Sequence, residues 1–126
     1  ASSKISFKLI EKKKKIYSMV NKDLFEWVVE NIIKNSIDAI NEQGTIIIKP
    51  YELDKKTYID FIDNGKGIKK PFFKEIFEPG FTSKKRGWGL GLSLVKRIIK
   101  DYHQGRVQLV KSIPNKETII RITLIK

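Results

Sequence analysis

The chain has 126 residues, of which 40% are hydrophobic, and this is enough to build one domain around one core. It contains no cysteine and no run of about 18 apolar residues, which excludes disulfide frameworks, thiolate metal sites and a membrane-spanning helix in this sequence, so we expect a cytoplasmic domain. The formal charge of +12 favours an anionic partner, such as a polyphosphate, a nucleic acid, an acidic protein or an acidic lipid surface.

The chain begins with a pattern that is typical of strands. Apolar residues alternate with polar ones through residues 5–9, and residues 16–20 form a second short apolar stretch. Lysines occupy positions 12–15 between them, where a hairpin turn would place solvated side chains. We therefore predict that a β-hairpin opens the domain. The same lysine run is also a weak candidate for binding nucleic acid.

A long helix and a pair of strands follow. Asp23 and Glu26 have the spacing of a capping box, and the apolar residues after them recur with helical periodicity until Gly44 ends the pattern. Residues 45–51 and 57–63 have the composition and alternation of strands, and a charged turn lies between them. These patterns predict one amphipathic helix packed on two antiparallel strands.

A short aromatic helix, a loop, a second long helix and a last pair of strands complete the chain. Their predicted ranges are, in that order, 71–77, 78–87, 89 to about 105, and 106–111 with 118–125. Because the strands come in adjacent pairs, we predict an α+β fold. It is a two-layer α/β sandwich with a mixed, mostly antiparallel sheet that carries its helices on one face.

Three polar residues share one side of the first long helix. Asn31, Asn35 and Asp38 fall within a sector of roughly 60° beside the apolar stripe. Asparagine and aspartate are poor helix formers, and their side-chain oxygens suit Mg²⁺. The stripe therefore predicts the rim of a metal-binding cavity, with an ordinary solvated helix face as the alternative.

A carboxylate followed by two glycines ends the strand at residues 57–63. Asp63 shares a face with Phe61, so we expect its carboxylate to point toward the core layer, where it needs a donor. Gly65 and Gly67 allow the backbone to pass close to a planar ligand, and the amino group of adenine is a donor that a carboxylate accepts. The alternative is an ordinary Asp-Asn-Gly turn.

A second glycine cluster opens the second long helix. Gly87, Gly89 and Gly91 lie where unpaired N–H groups attract phosphate, and the preceding loop is rich in lysine, arginine, serine and threonine. We interpret that loop as a lid over a triphosphate. No P-loop sequence is present and the glycines do not follow the first strand of a βαβ unit, which excludes the Walker and Rossmann phosphate sites.

Four sequence blocks in this order carry a family resemblance. Residues 30–40, 63–68, 72–77 and 87–92 resemble the N box, the first glycine box, the aromatic F box and the second glycine box of the ATP-binding catalytic domain of bacterial sensor histidine kinases. This family belongs to the superfamily of gyrase B, MutL and the heat-shock ATPases. The resemblance covers nearly the whole chain and implies the Bergerat ATP-binding fold with ATP and Mg²⁺ as ligands.

The resemblance also implies roles for individual residues. Asn35 would coordinate Mg²⁺, Asn31 and Asp38 would support the phosphate and metal region, and Asp63 would bind the adenine amino group. Asn31 and Asn35 would thus be the residues closest to the chemistry. The other implied nucleotide contacts are Gly65, Gly67, Ile68, Thr82, Ser83, Lys84, Arg86, Gly87, Gly89, Leu90, Gly91, Leu92 and Thr118.

One position separates a kinase from a hydrolase in this superfamily. The ATPase members have a glutamate as general base four residues before the metal-binding asparagine, and here that position is Asn31, which cannot accept a proton. Glu30 is one residue away, rotated by about 100°. We therefore expect slow hydrolysis and transfer of the γ-phosphoryl group to a protein histidine. An ATP-hydrolysing clamp, an anti-sigma-type serine kinase and a basic nucleic-acid-binding module remain as alternatives.

The phosphoacceptor itself is absent from this sequence. The single histidine, His103, lies at the end of the second long helix, where we interpret it as structural. We therefore expect residues 1–126 to be the catalytic domain of a larger sensor kinase and to be monomeric when isolated. The parent would be a homodimer with a dimerisation and phosphoacceptor domain and a response regulator downstream. Its anchoring in the inner membrane stays open, and no nucleic acid is expected.

Overall fold

The structure is a computed structural model that describes residues 4–11, 16–80 and 91–125. Its helices and strands follow the predicted order with one exception at the start. The elements are β1 (Lys4–Leu9), α1 (Lys22–Ala39), β2 (Gln43–Leu53), β3 (Lys56–Asp63), two 3₁₀ turns (Lys70–Phe72 and Glu75–Phe77), α2 (Gly91–Arg97) continued by a π-helical turn (Ile98–Tyr102), β4 (Arg106–Ile113) and β5 (Glu117–Ile125).

The five strands form one mixed sheet in the order β1-β2-β3-β5-β4. The β2–β3, β3–β5 and β4–β5 pairs are antiparallel, and β1 pairs with β2 in parallel. The core lies between one face of this sheet and the two helices, with Val28, Ile32, Phe61, Val95 and Ile99 at its centre. The predicted α+β sandwich with a mostly antiparallel sheet and helices on one face is confirmed.

The predicted opening hairpin is wrong. Residues 16–20 form no strand, and β1 lies parallel to β2, which is possible because α1 carries the chain back across the sheet between them. Hydrogen bonds from side chains, and not strand pairing, hold residues 16–20 in place. The Thr57 hydroxyl donates to the Tyr17 carbonyl at 3.1 Å, and the Ser18 hydroxyl donates to the Ile125 carbonyl. The lysines at 12–15 lie outside the described residues.

The predicted capping box is also wrong. Helix α1 begins at Lys22, and its N-cap is Asn21, whose side-chain oxygen accepts the Leu24 N–H at 3.1 Å. Asp23 therefore lies inside the first turn, where its charge suits the helix dipole. The helix ends at Ala39, five residues before Gly44.

His103 joins the ends of the two helices, consistent with the structural role expected for it. It is buried, and its Nε2 accepts the Asn21 N–H at 3.0 Å while its Nδ1 lies 3.1 Å from the Ile98 carbonyl oxygen. Since Nε2 is the acceptor, Nδ1 carries the proton and donates to that carbonyl. The ring also meets Phe25 edge-on, with 5.9 Å between centroids.

The remaining differences are in the connecting turns. The short aromatic helix predicted at 71–77 is two separate 3₁₀ turns, the second of which buries Ile76 and Phe77. Most of the predicted loop at 78–87, and the start of the second helix at Gly89, lie outside the described residues. Among the helices that the structure describes, none combines the length and apolar character needed to cross a membrane.

Candidate functional site

A cavity of about 370 Å³ opens between the last turns of α1, the glycine segment after β3, the start of α2 and the ends of β3 and β5. Polar groups line one side and aliphatic side chains the other. Its lining residues are Asn35, Ser36, Asp38, Ala39, Asp63, Lys66, Gly67, Ile68, Ile76, Leu92, Thr118 and Ile120.

The structure brings seven of the predicted site residues together in this lining: Asn35, Asp38, Asp63, Gly67, Ile68, Leu92 and Thr118. Asn31, Gly65 and Gly91 lie beside it but outside the lining, and a Cβ added at Gly91 would come within 3.5 Å of the Asn31 Oδ1 atom. The predicted residues Thr82, Ser83, Lys84, Arg86, Gly87, Gly89 and Leu90 lie outside the described residues.

Asp63 lines the cavity and is only 5% exposed. The Gly65 N–H donates to its Oδ1 at 2.9 Å, and the Ser36 hydroxyl donates to the same carboxylate. Burial raises the pKa of Asp63 above its ordinary value, and these two hydrogen bonds oppose the rise. These two hydrogen bonds leave the carboxylate with further lone pairs that can accept a hydrogen bond from a ligand.

The Asp-Asn-Gly sequence after β3 fits both interpretations given above, an ordinary turn and a carboxylate that serves a ligand. Asp63 bonds its own backbone two residues on, as an ordinary turn does, and the Asn64 Oδ1 accepts the Thr45 N–H at 2.8 Å. Asp63 also lines the cavity, which a turn alone does not require. The local bonds therefore fix the direction of a carboxylate that remains available to a ligand.

The glycine segment after β3 is hydrogen-bonded to the end of α1 on one side and to the turn between β4 and β5 on the other. The Lys66 N–H donates to the Ala39 carbonyl at 2.8 Å, and the Asn115 N–H donates to the Gly65 carbonyl at 2.8 Å. A Cβ at Gly65 would lie 2.5 Å from the Ala39 carbonyl oxygen, closer than packing allows. Gly67 has a φ of +78°, which a residue with a side chain rarely adopts. These two glycines are therefore required by the close approach and by the backbone conformation.

The two asparagines of α1 are oriented by the helix itself. The Asn31 Nδ2 donates to the Trp27 carbonyl at 2.8 Å, and the Asn35 Nδ2 donates to the Asn31 carbonyl at 2.8 Å. Each bond uses one of the two N–H groups of the amide and fixes the side chain, and each Oδ1 can act as an acceptor or ligand. Asp38 is exposed at the cavity rim. The stripe presents oxygen atoms, and oxygen is the ligand type that Mg²⁺ prefers.

Five lining residues were missed from the sequence: Ser36, Ala39, Lys66, Ile76 and Ile120. Ile120 could have been found, because it lies two residues after Thr118 and therefore on the same face of β5. Ser36 could also have been found, because a hydroxyl four residues after Ile32 lies on the apolar stripe of α1 and indicates a buried polar contact.

Comparisons with known proteins identify the family of this chain. Residues 20–126 match the family described as histidine kinase-, DNA gyrase B-, and HSP90-like ATPase. Over 103 residues the chain is 39% identical to sporulation kinase D of Bacillus subtilis, and over 95 residues it is 41% identical to the signal transduction histidine-protein kinase AtoS of Escherichia coli. These alignments cover 82% and 75% of this chain but only 20% and 15% of the relatives.

A solved structure gives the same result for the fold. The chain superposes on the catalytic domain of the histidine kinase ThkA with a TM-score of 0.85 and 26% identity, over 95% of this chain and 79% of that one. The chain thus spans about a fifth of the length of sporulation kinase D and most of a kinase catalytic domain. The chain belongs to the histidine kinase-, DNA gyrase B- and HSP90-like ATPase family, and the two relatives described above are named as kinases.

Proposed function

We propose that this domain binds ATP with Mg²⁺ and presents the γ-phosphoryl group to a histidine on a separate dimerisation and phosphoacceptor domain. The observation that carries the proposal is the Asp63 carboxylate, which is buried in the cavity wall and which the described residues bond only through neutral donors. A buried carboxylate without a cation is costly unless a ligand or a solvent donor completes its bonding. The family membership makes adenine the ligand of choice.

The adenine ring fits the part of the cavity beside Asp63. Asp63 accepts the amino group, and the aliphatic side chains of Ile68 and Ile120 offer apolar surface to the ring. Gly67 adds no side chain to this space. A carboxylate accepts from an amino group and not from the carbonyl that guanine carries at the same place, so we expect selectivity for adenine.

The residues around Asn35 fit a magnesium ion that is shared with phosphates. Asn35 offers one oxygen in the cavity wall, and the described residues contain no cluster of three or more histidine, cysteine, aspartate or glutamate side chains. Mg²⁺ is usually held by one or two protein oxygens together with substrate phosphates and water, so one asparagine is an adequate protein ligand. The ion would neutralise phosphate charge during transfer. The predicted contacts at 82–87 and at Gly89 and Leu90 would serve the phosphates.

Transfer is favoured over hydrolysis by the residue that faces the phosphate end. Asn31 has its amide nitrogen committed to the Trp27 carbonyl and has no group that takes a proton from water. Glu30 is exposed on another side of the helix. With no general base at this position, catalysis rests on holding the reacting groups in place and on neutralising charge. This argues against the ATP-hydrolysing clamp, whereas a serine kinase of the same superfamily differs only in its acceptor.

The proposed partners follow from the relatives. Sporulation kinase D and AtoS are named as kinases and are about five and more than six times as long as the stretch they share with this chain. We propose that the parent protein likewise adds a dimerisation and phosphoacceptor domain, works as a homodimer and passes its phosphoryl group to a response regulator. The competing nucleic-acid-binding module would use the lysines at 12–15 and would not need Asp63 or Asn35.

The testing experiment is a calorimetric titration with ATP and GTP, each with and without Mg²⁺, together with a phosphate-release assay on the same samples. We expect adenine-selective, Mg²⁺-dependent binding with little free phosphate. Addition of the parent's phosphoacceptor domain should then produce acid-labile phosphohistidine. Brisk phosphate release without a phosphoacceptor would favour the clamp, acid-stable phosphate on the acceptor would favour a serine kinase, and an absence of nucleotide binding would contradict the proposal.

A further inference from the structure

The face of the sheet opposite to the helices, called the outer face below, contains a second cavity. Its volume is about 400 Å³, within the range of roughly 300–1,000 Å³ that is typical of small-molecule sites. The lining includes Lys56, Tyr58, Arg106, Arg121 and Thr123. Tyr58 lies five residues before Asp63 on β3, about 17 Å along the strand, and alternation turns its side chain to the opposite face. The second cavity is therefore separate from the one that Asp63 lines.

A short side chain forms the floor of this second cavity, and two long side chains form its walls. In the sheet, Thr123 of β5 is paired with Tyr58 of β3 on one side and with Arg106 of β4 on the other. Neighbouring strands lie about 4.8 Å apart, so the two walls start from backbones that are roughly 10 Å apart. Because threonine is much shorter than tyrosine or arginine, a slot is left above it between the two walls.

The Tyr58 ring is a flat wall of this slot. It stacks on the Tyr51 ring with 5.2 Å between centroids and an interplanar angle of 12°. Tyr51 is its neighbour across the β2–β3 ladder, on the side opposite to Thr123, so the second face of the Tyr58 ring is turned to the slot. Stacked atoms lie about 3.5–4 Å apart, so one planar ring fits between Tyr58 and Arg106. The Arg106 guanidinium can stack on the other face of that ring.

The cations of the second cavity outnumber the carboxylates beside them. Lys56, Arg106 and Arg121 line it, and no carboxylate is among the described residues that do so. Within residues 4–11, 16–80 and 91–125, Arg121 alone of these three forms an ion pair, and its partner is Asp60. Three positive charges against one negative charge leave a balance of two. A phosphate monoester carries a charge of about −1.5 to −2 at neutral pH and therefore complements this balance.

The Arg121 guanidinium is oriented before any ligand binds. Its Nε and Nη2 donate to the Asp60 carboxylate at 2.7 and 3.1 Å, and the Tyr51 hydroxyl donates to the same carboxylate at 3.3 Å. A guanidinium has five N–H groups, and the two bonds to Asp60 leave three of them for an anion. Arg121 lies two residues before Thr123 on the same face of β5, about 7 Å away. A phosphate attached to a ring in the slot can therefore reach these donors.

We propose that the second cavity is a ligand site for a small phosphate monoester that carries a planar ring, which is the chemistry of a nucleoside monophosphate. The ring stacks between Tyr58 and Arg106 above Thr123. Arg121 binds the phosphate, and Lys56 and Arg106 contribute the remaining positive charge. Because this site lies on the outer face, its ligand does not compete with a nucleotide bound beside Asp63.

The test is a titration of the domain with uridine 5′-monophosphate (UMP) and with ribose 5-phosphate, without Mg²⁺, followed by heteronuclear NMR. Uracil has a carbonyl where adenine has its amino group, so UMP is not a good partner for Asp63. We expect saturable UMP binding with a dissociation constant of about 1 mM or below. The shifted amide signals should belong to residues 56–58, 105–108 and 121–124. Ribose 5-phosphate lacks the ring and should bind roughly tenfold more weakly.

Two variants separate the ring contact from the charge. Tyr58→Leu removes the stacking surface and should make UMP bind as weakly as ribose 5-phosphate does. Arg106→Gln removes one wall and one charge and should weaken UMP binding roughly tenfold. Arg106 is exposed, so its substitution should leave the unfolding midpoint unchanged. The matched control is Lys8→Gln, which removes one positive charge from the outer face without touching the cavity, and UMP affinity should stay within about twofold.

Four results would overturn the inference. The first is an absence of saturable UMP binding, or amide shifts confined to the residues around Asp63. The second is equal binding of UMP and ribose 5-phosphate, because the ring would then make no contact. The third is an equal loss of affinity in Arg106→Gln and Lys8→Gln, which would mean a general basic surface in place of a site. The fourth is much tighter binding of a single-stranded oligouridylate than of UMP, which would favour a nucleic acid as the ligand.

Discussion

Strand β3 contains two buried aspartates, three residues apart, that point to opposite faces of the sheet. Asp60 and Asp63 are each 5% exposed. On the face away from the helices, Asp60 receives two bonds from the Arg121 guanidinium, at 2.7 and 3.1 Å, and one from the Tyr51 hydroxyl at 3.3 Å. Its charge is balanced within the protein, as a structural carboxylate requires.

On the helix side, Asp63 has the same burial, and residues 4–11, 16–80 and 91–125 supply no comparable ion pair to it. Its donors are the Gly65 N–H and the Ser36 hydroxyl, both neutral, and burial raises the pKa of its carboxyl. Burial alone therefore does not separate a structural carboxylate from one that serves a ligand. The difference is the partner, because a buried carboxylate that has no cation beside it in the described part of the chain is available to a ligand donor.

The strongest test of this distinction is Asp63→Asn. The substitution keeps the shape and an acceptor for Gly65 but removes the charge and places an NH₂ or a weaker acceptor toward the ligand. We expect ATP to bind roughly 30-fold more weakly, about 2 kcal/mol, as measured by calorimetry. The unfolding midpoint should stay the same or rise, because the desolvated charge is gone. Unchanged ATP affinity would show that Asp63 does not contact the nucleotide.

Asp60→Asn should give the reverse pattern. It breaks the bidentate ion pair and leaves the partly buried Arg121 without its anion, so we expect a loss of about 1–2 kcal/mol in the free energy of unfolding, measured by urea denaturation. ATP affinity should remain within about twofold of the unaltered domain, since additivity holds for sites without shared partners. A large loss of affinity with unchanged stability would contradict the comparison.

Asn35→Ala examines the metal end of the same cavity. Removing the Oδ1 takes away the proposed protein ligand of Mg²⁺, so the gain in ATP affinity on adding Mg²⁺ should fall by roughly tenfold. Binding in the absence of the metal should change little, because Asp63 is untouched. Asn41→Ala, a substitution outside the cavity lining, is a suitable control. A full Mg²⁺ effect in Asn35→Ala would favour the solvated-face interpretation of the stripe.

The smallest effect is expected in the pH dependence. ATP binding needs the ionised carboxylate, so affinity should be full above the raised pKa of Asp63 and fall several-fold as the pH drops through it. Titrating the unaltered domain and Asp63→Asn in parallel cancels the protonation of the nucleotide itself. The acid limb should be absent from the variant. An identical limb in both proteins would assign it to another group.

Stability of the unliganded domain should respond with the opposite sign. Because the pKa of Asp63 is raised on folding, the folded chain holds this proton more tightly than the unfolded chain does. The resulting contribution is fully present below the ordinary value of 3.8 and is lost as the pH rises through the raised value. Thermal unfolding over that acid range therefore distinguishes Asp63 from Asp60. The stability contribution of the Asp63 proton should be absent from Asp63→Asn.

Much of the site could be predicted from the sequence, because it lies on regular elements. Strand alternation placed Asp63 on the face of Phe61, and helical periodicity placed Asn35 beside the apolar stripe of α1. The structure has both residues in the cavity wall. Residue spacing is sufficient when a side chain's direction depends only on its own strand or helix.

The failures occurred where distant residues decide the outcome. The start of α1 at Asn21 involves a hydrogen bond to His103, 82 positions away, and local spacing favoured Asp23 instead. Strand alternation in β1 contains no information about its partner, so parallel pairing with β2 was missed. The hydrogen bond from the Ile68 N–H to the Ser112 hydroxyl depends on a bulge that reverses the alternation of β4.

The fixed glycine segment has a consequence for inhibitor design. Gly65 and Lys66 are bonded to α1 and to the turn between β4 and β5, and Ile68 is bonded to Ser112, before any ligand arrives. The conformational entropy of this wall is therefore lost during folding and not on binding. A fragment-sized molecule confined to the space between Asp63 and Thr118 could use this rigidity in full, with a high affinity per atom.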